Sequence, residues 1–460
     1  MYQVNNFCKQ DKIEGSYKNK LISADKAAQL VKSGDKIHIG QFAGICKDIE
    51  AAIARRVDEL TDVVVCDTLW SYPDAYEMFK VDPNGEHFRI HSTHFSKSDR
   101  VVNKMGNAWF IPIIFREGNK NWCENSGGLN VVYLPVTPMD KHGNFSLGPT
   151  VGETRGVLQA AEIIVLEVNE NIPRANGVDN LINLSQADYI VESSNYPMPT
   201  LPPRDADGTD QKIAQHVMPL IESGSCIQLG IGAMPNHLGK LIAASDLNDL
   251  SVHTEMFVDA YVDMYNTGKI TGNKSRDKGK MVYTFALGSQ DMWDFLNDNP
   301  IACCAPVDYV NDISVIASID KMISINSCLQ VDIFGQVNSE SIGFQHISGT
   351  GGAMDFAQGA FMSKGGKSFV CTASTKKKKD GTLEPLVLPY LPPGAIVTIP
   401  RSMVQYLVTE YGCVLLKGKS TWERAEAIIS ISHPDFREDL IKAAEIQGIW
   451  SKTSKLPGGY

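Results

Sequence analysis

Residues 250–265, LSVHTEMFVDAYVDMY, change period at a carboxylate. Leu250 and Val252 alternate as in a strand, whereas Val258, Tyr261, Val262 and Tyr265 recur at helical spacing. Glu255 therefore falls where a strand hands over to a helix. In open α/β sheets such positions face the ligand crevice, so a carboxylate there is placed for chemistry; a solvated turn glutamate is the plain alternative. Two glycine loops could meet it. Gly230-Ile231-Gly232 follows a strand at 226–229 and precedes Pro235-Asn236, which open a helix. The other is SGTGGAMDFAQGA at 348–360, where Gly349, Gly351 and Gly352 lead into a second helix. Backbone amides left uncovered by glycine suit an anion or a developing oxyanion, although tight turning alone also explains either loop. Pro235 stands where a dinucleotide fingerprint needs its third glycine, which excludes that reading.

Further polar residues surround these segments. Asn311 in VDYVNDIS and Asn338 in GQVNSES could each hydrogen-bond a substrate carbonyl, and turn chemistry explains either as well. Glu340 is a rival carboxylate, ranked below Glu255 because it does not end a strand that enters a helix. His253 would share a strand face with Glu255, where a buried, satisfied histidine is the plainer reading. The chain has no GxSxG, HExxH or P-loop, and its histidines show no metal spacing.

The elements that carry these residues occur twice. LVKSGDKIHIGQFA at 30–43 parallels LIESGSCIQLGIGA at 220–233, each running through Ser-Gly into a strand and then a glycine loop. LTDVVVCDTLW (60–70) parallels LNDLSVHTEMF (247–257), and DKHGNFSLG (140–148) parallels DIFGQVNSESIG (332–343), at nearly the same offset. Three ordered matches predict a duplicated α/β fold: two similar open sheets, largely parallel, covered by helices. Thr68 falls opposite Glu255, so the carboxylate belongs to one half only. Prolines, acids and glycine break all periodicity in YPMPTLPPRDADGTD at 196–210. The expected division is an N-terminal domain at 1–200, a linker at 201–212, and a C-terminal domain at 213–460 carrying Glu255.

A chain of 460 residues exceeds one ordinary core, in keeping with two domains. With 43 Lys and Arg against 53 Asp and Glu, the net charge of -10 argues against nucleic acid or an anionic membrane as partner. No apolar run reaches the ~18 residues of a membrane span, and the polar N-terminus lacks an export signal's apolar core. Ten cysteines without a CxxC fit a reduced cytoplasmic setting and no metal site. One dense basic run, Lys376 to Lys379, precedes Asp380-Gly381 between two apolar stretches and reads as a hairpin. A solvated edge that blocks strand pairing is its plain explanation.

Taken in order, PVTPMDKHGNFSLG, QLGIGAMPN, VHTEMFVDAYVDMYNTGKITG, VDIFGQVNSESIG, SGTGGAMDF, VTEYG and STWERAEAIISISHPDF make the chain resemble a class I coenzyme A transferase. It is similar in particular to the acetyl-CoA hydrolase/transferase branch, with butyryl-CoA:acetate and 4-hydroxybutyrate CoA-transferases. The resemblance implies ping-pong transfer through a glutamyl-CoA thioester on Glu255. It implies oxyanion donors at the Ile231 and Gly352 amides, and an active-site role for Asn311. Gln228, Leu229, Gly230, Ile231 and Gly232 would line the thioester end of CoA, and Lys377 would contact CoA. CoA enters as substrate, with no permanently bound cofactor and no metal; the expected partners are an acyl-CoA, a short-chain carboxylate and a second copy in a cytoplasmic homodimer. By overall likeness butyryl-CoA:acetate exchange ranks first, 4-hydroxybutyryl-CoA next and acyl-CoA hydrolysis third. A non-catalytic CoA sensor would be expected to lack the glutamate. Ala353-Met354 stand where relatives often carry Gln with Val or Leu, which bears on acyl size.

Overall fold

The computed structural model describes residues 10–72, 76–201 and 204–450. The polar N-terminus through Lys9, read above as lacking an export signal, and the linker residues Pro202 and Pro203 lie outside them. Seven strands build the first sheet: β1 (Lys36–His38), β2 (Val63–Asp67), β3 (Phe88–Ser92), β4 (Ala108–Phe110), β5 (Leu129–Val136), β6 (Ala161–Val168) and β7 (Tyr189–Glu192). Their order is β7-β6-β5-β1-β2-β3-β4 and every pairing is parallel. β5, LNVVYLPV, is a nearly continuous apolar run, and almost all of it is buried. That composition is what a strand covered by helices on both faces requires. Helices α1 (Lys47–Ala54) and α2 (Thr154–Ala160) belong to this unit. Ile49, Ala52 and Ile53 of α1 lie in one buried cluster with Ile37, Val63, Val65, Ile90 and Val131 of the sheet.

The second sheet comprises β8 (Cys226–Leu229), β9 (Ser251–Val252), β10 (Met322–Ser327), β11 (Lys367–Cys371), β12 (Tyr406–Thr409) and β13 (Gly412–Leu415). Its order is β9-β8-β10-β11-β12-β13, parallel except for the final hairpin pair. Around β8 the order repeats that around β1: the next strand in sequence lies on one side, and a strand much later in the chain lies on the other. The expected duplication is thus present in the topology. In both sheets the neighbours of that first strand run off in opposite directions, which opens a crevice at the strands' carboxyl ends. Helices α3 (Ala233–Ala244), α4 (Asp259–Asn266) and α5 (Ala353–Met362) follow or precede these strands.

The chain divides into two compact units, but not at a single point. Residues 1–201 and 282–310 form one, and 202–281 with 311–460 form the other. The expectation of one continuous domain at 213–460 is therefore corrected for residues 282–310. The physical reason is pairing: Thr284 carbonyl accepts the amides of Val151 (3.0 Å) and Gly152 (3.2 Å), and Phe285 stacks on Phe42 at 3.7 Å. The carboxyl end of the expected linker is also helical, since a helix begins at Gly208, capped by Asp207.

Candidate active site

Glu255 does not sit in a strand. β9 ends at Val252, and Glu255 occupies a bend before the two-residue strand Met256–Phe257, with α4 starting at Asp259. Thr254 Oγ1 donates to the Met256 carbonyl across this bend (3.0 Å), and the buried Lys274 ammonium donates to the Val252 carbonyl (3.0 Å). Both contacts hold the glutamate's backbone where the strand stops. His253 is buried against Phe356 of α5, with ring centroids 6.2 Å apart, so the shared strand face expected for it and Glu255 is not formed.

The carboxylate meets two of the residues named with it, Asn311 and Gly352. Asn311 Nδ2 donates to Glu255 Oε2 at 2.6 Å, and the Gly352 amide also donates to the carboxylate. Asn311 is itself fully buried, and its Oδ1 has no partner among the described residues. Burial pushes the Glu255 carboxyl up to about 7, against the opposing pull of these two donors. Gly352 is required by contact rather than by its backbone: at φ -100° any residue would be comfortable, yet a Cβ there would stand 2.2 Å from Glu255 Oε2 and 2.3 Å from Asn311 Nδ2.

The Gly-Ile-Gly loop leaves the carboxyl end of β8, as expected. The Gly230 amide still joins the ladder, donating to the Ile325 carbonyl (3.0 Å), and Gly232 at φ 132° caps α3. Ile231 between them is half exposed. Leu229 is buried and its amide donates to the Tyr261 hydroxyl (2.7 Å), which ties the strand's end to α4. Neither α3 nor α5 has a side-chain cap, whereas Asp207 and Ser420 cap other helices of the same unit with full capping boxes. First-turn amides that no side chain satisfies remain available to a ligand.

Other candidates separate from this group. Asn338 is buried in turn bonds, accepting from the amides of Glu340 (3.1 Å) and Ser341 (3.0 Å). Glu340 is buried as well and accepts from Thr350 Oγ1 (3.3 Å) in the second glycine loop. Ala353 and Met354 pack against the cluster around Val331, Ile333 and Leu407. The lysine run forms the expected hairpin, Thr375–Lys377 against Leu383–Pro385. Lys376 (3.4 Å) and Lys378 (3.7 Å) pair with Glu384, and Lys377 has no ion-pair partner among the described residues. A cleft of about 980 Å³ in the first unit is lined by Asn119, Arg155 and Asp308, but its arginine is already paired with Asp308 and Asp179.

The first unit has a counterpart to this site in altered form. Thr68, placed opposite Glu255 by the repeat, follows β2 and donates to Glu153 Oε1 at 2.6 Å. Glu153 stands at the start of α2, the place that Gly352 takes at α5, and it is fully buried. Each unit thus carries one acid here, contributed by a different element.

Sequence reasoning passed over Ser324 and Asn326 on β10, which bond the Gln228 side chain. No motif marks them; the only available signal was three polar residues at alternating positions of two otherwise apolar strands.

The fold is that of the CoA-transferases. The structure matches that of RipA from Yersinia pestis with a TM-score of 0.85 and 32% identity, over 95% of this chain and 100% of that one. It matches 4-hydroxybutyrate CoA-transferase from Porphyromonas gingivalis with a TM-score of 0.78 and 30% identity, over 94% and 99%. The chain belongs to the acetyl-CoA hydrolase/transferase family: residues 5–202 match the model of its N-terminal domain and 288–444 that of its C-terminal domain. It is a CoA-transferase by its relatives. It is 45% identical to the "Probable butyrate:acetyl-CoA coenzyme A-transferase" of Syntrophomonas wolfei, over 97% of this chain and 99% of the relative. Against the butyryl-CoA:acetate CoA-transferase of Anaerostipes caccae identity is 42%, over 95% and 99%. Among the described residues no helix is long and apolar enough to cross a membrane, and no group of three His, Cys, Asp or Glu is arranged to hold a metal ion.

Proposed function

We propose that the enzyme moves CoA between butyryl-CoA and acetate, with Glu255 as the nucleophile. The observation that carries this reading is the Glu255 carboxylate, desolvated, held through Oε2 by Asn311, and lying against the amide of Gly352. A carboxylate oxygen adds to the thioester carbonyl carbon, the C–S bond breaks, and CoA leaves as thiolate with a mixed anhydride left behind. The thiolate then adds to the Glu255 carboxyl carbon and expels butyrate, leaving a glutamyl-CoA thioester. Acetate attacks that thioester and the two steps run in reverse, releasing acetyl-CoA and the free carboxylate. Each addition places negative charge on an oxygen, and backbone amides of the glycine loops, those of Ile231 and Gly352, are suited to receive it. Gln228 to Gly232 border the thioester end of CoA, Asn311 orients the nucleophile, and Lys377 is a cation free to meet a CoA phosphate. The anhydride passes the activation of the thioester to the Glu255 carboxyl without loss to water, which is the advantage of a carboxylate nucleophile.

The choice of butyryl-CoA and acetate rests on the names of the relatives, among which 4-hydroxybutyrate coenzyme A transferase of Clostridium kluyveri is 36% identical over 93% of this chain. A cytoplasmic homodimer goes with the same reading. Incubation with butyryl-CoA alone, followed by borohydride or hydroxylamine, should modify the peptide containing Glu255. Glu255→Ala should lose at least about 10³-fold in turnover. An active wild-type protein that yields no adduct at Glu255 would sink the mechanism, and CoA release independent of acetate would make hydrolysis the main activity.

A further inference from the structure

Gln228 points into the sheet rather than across the loop it precedes. β8 and β10 pair in parallel with Gln228 beside Ser324, so the side chains of Gln228, Ser324 and Asn326 share one face. Gln228 Nε2 donates to Asn326 Oδ1 (3.2 Å), and Asn326 Nδ2 donates back to Gln228 Oε1 (3.2 Å). Ser324 Oγ donates to the same Gln228 Oε1 (2.8 Å) while accepting from Asn326 Nδ2 (2.9 Å). Both amide hydrogens of Asn326 and the hydroxyl hydrogen of Ser324 are thereby used. Turning the Gln228 amide over by itself would set donor against donor at Asn326 and remove the acceptor of Ser324, so the two amides are matched to each other.

Gln228 and Ser324 are buried in positions where apolar side chains would pack at no desolvation cost. A connected polar network in such a place specifies geometry more than it adds stability. What lies immediately above it is Gly230, whose amide is held by the Ile325 carbonyl and whose Cα hydrogens face Asn326 Oδ1; a Cβ there would come within 3.9 Å of that oxygen. We propose that Ser324 and Asn326 are positioning residues: acting through Gln228, they anchor the strand end from which the Gly230-Ile231-Gly232 loop departs, and so set the direction of the Ile231 amide. The proposal rests on the transferase reading only for its kinetic consequence; the anchoring itself is a property of the loop.

The test uses Asn326→Ala and Ser324→Ala in the full chain, with butyryl-CoA and acetate as substrates. In both variants kcat and the rate of adduct formation at Glu255 should fall ten- to a hundredfold, with KM for butyryl-CoA within threefold of wild type. Hydrogen exchange in the peptide spanning residues 226–233 should accelerate at least tenfold, with peptides of the first unit unchanged. Normal kcat with normal exchange overturns the proposal. A raised KM with unchanged kcat and exchange also overturns it, because Asn326 would then be a CoA contact. Wild-type turnover without a Glu255 adduct would refute the mechanism proposed above, and the exchange measurement would still decide the anchoring.

Discussion

At the scale of single residues, the site is a carboxyl group whose charge is opposed by burial and supported by two donors. Because its ionisation lies at about 7 and the nucleophile is the ionised form, kcat/KM for butyryl-CoA should rise with pH through a limb centred near 7. Asn311→Ala removes a donor that favours the charged form, so the limb should move upward, by roughly one pH unit. A pH–rate profile of the two proteins checks both statements; a limb that stays in place or moves down would show that Asn311 does not support the anion. Glu255 was legible in the sequence because the period changes around it, and Asn311 as one of two candidate asparagines between which the family resemblance chose. That the two touch was not legible, since 55 residues of chain separate them and a whole excursion into the other unit intervenes.

Elements decide which amides are open. α3 and α5 start on glycines without side-chain caps, while the helices that begin after Asp207 and Ser420 are closed by full capping boxes. The lysine hairpin sorts its charges in a similar way, with Glu384 occupying Lys376 and Lys378 and leaving Lys377 unpaired. Lys377→Ala should therefore raise KM for butyryl-CoA roughly five- to tenfold with little change in kcat, and the difference should shrink at high salt. Lys376→Ala should do less; equal effects from the two, measured at one ionic strength, would reduce the hairpin to a diffuse basic surface. Helix starts and hairpin were readable from glycine, proline and Asp-Gly, because those residues act locally. The Gln228, Ser324 and Asn326 network was not, because it depends on strand register, and register between distant strands leaves no local mark.

For the molecule as a whole, the repeat foretold two similar, largely parallel open sheets, and they are present, one of seven strands and one of six. What it could not foretell is the return of residues 282–310 to the first unit, since pairing with Val151, Gly152 and Phe42 is a matter of long-range fit. A fragment of residues 1–201 should accordingly unfold with a broad, poorly cooperative transition in urea, and fusing 282–310 to it through a flexible linker should sharpen that transition. Identical curves for the two fragments would mean that the segment contributes nothing to the unit's stability.

The same discontinuity dictates an order of events during synthesis. The first sheet leaves the ribosome complete, yet the loop amides, the carbonyl of Pro199 and the aromatic surface that await Thr284, Phe285 and Trp293 stay uncovered until those residues emerge. At about 5–20 residues per second, that wait is on the order of ten seconds. Nascent chains of this length are consequently the stage at which chaperone engagement should be strongest, and a codon-dependent pause after residue 201 would lengthen the exposure, whereas a pause after residues 282–310 have emerged would not.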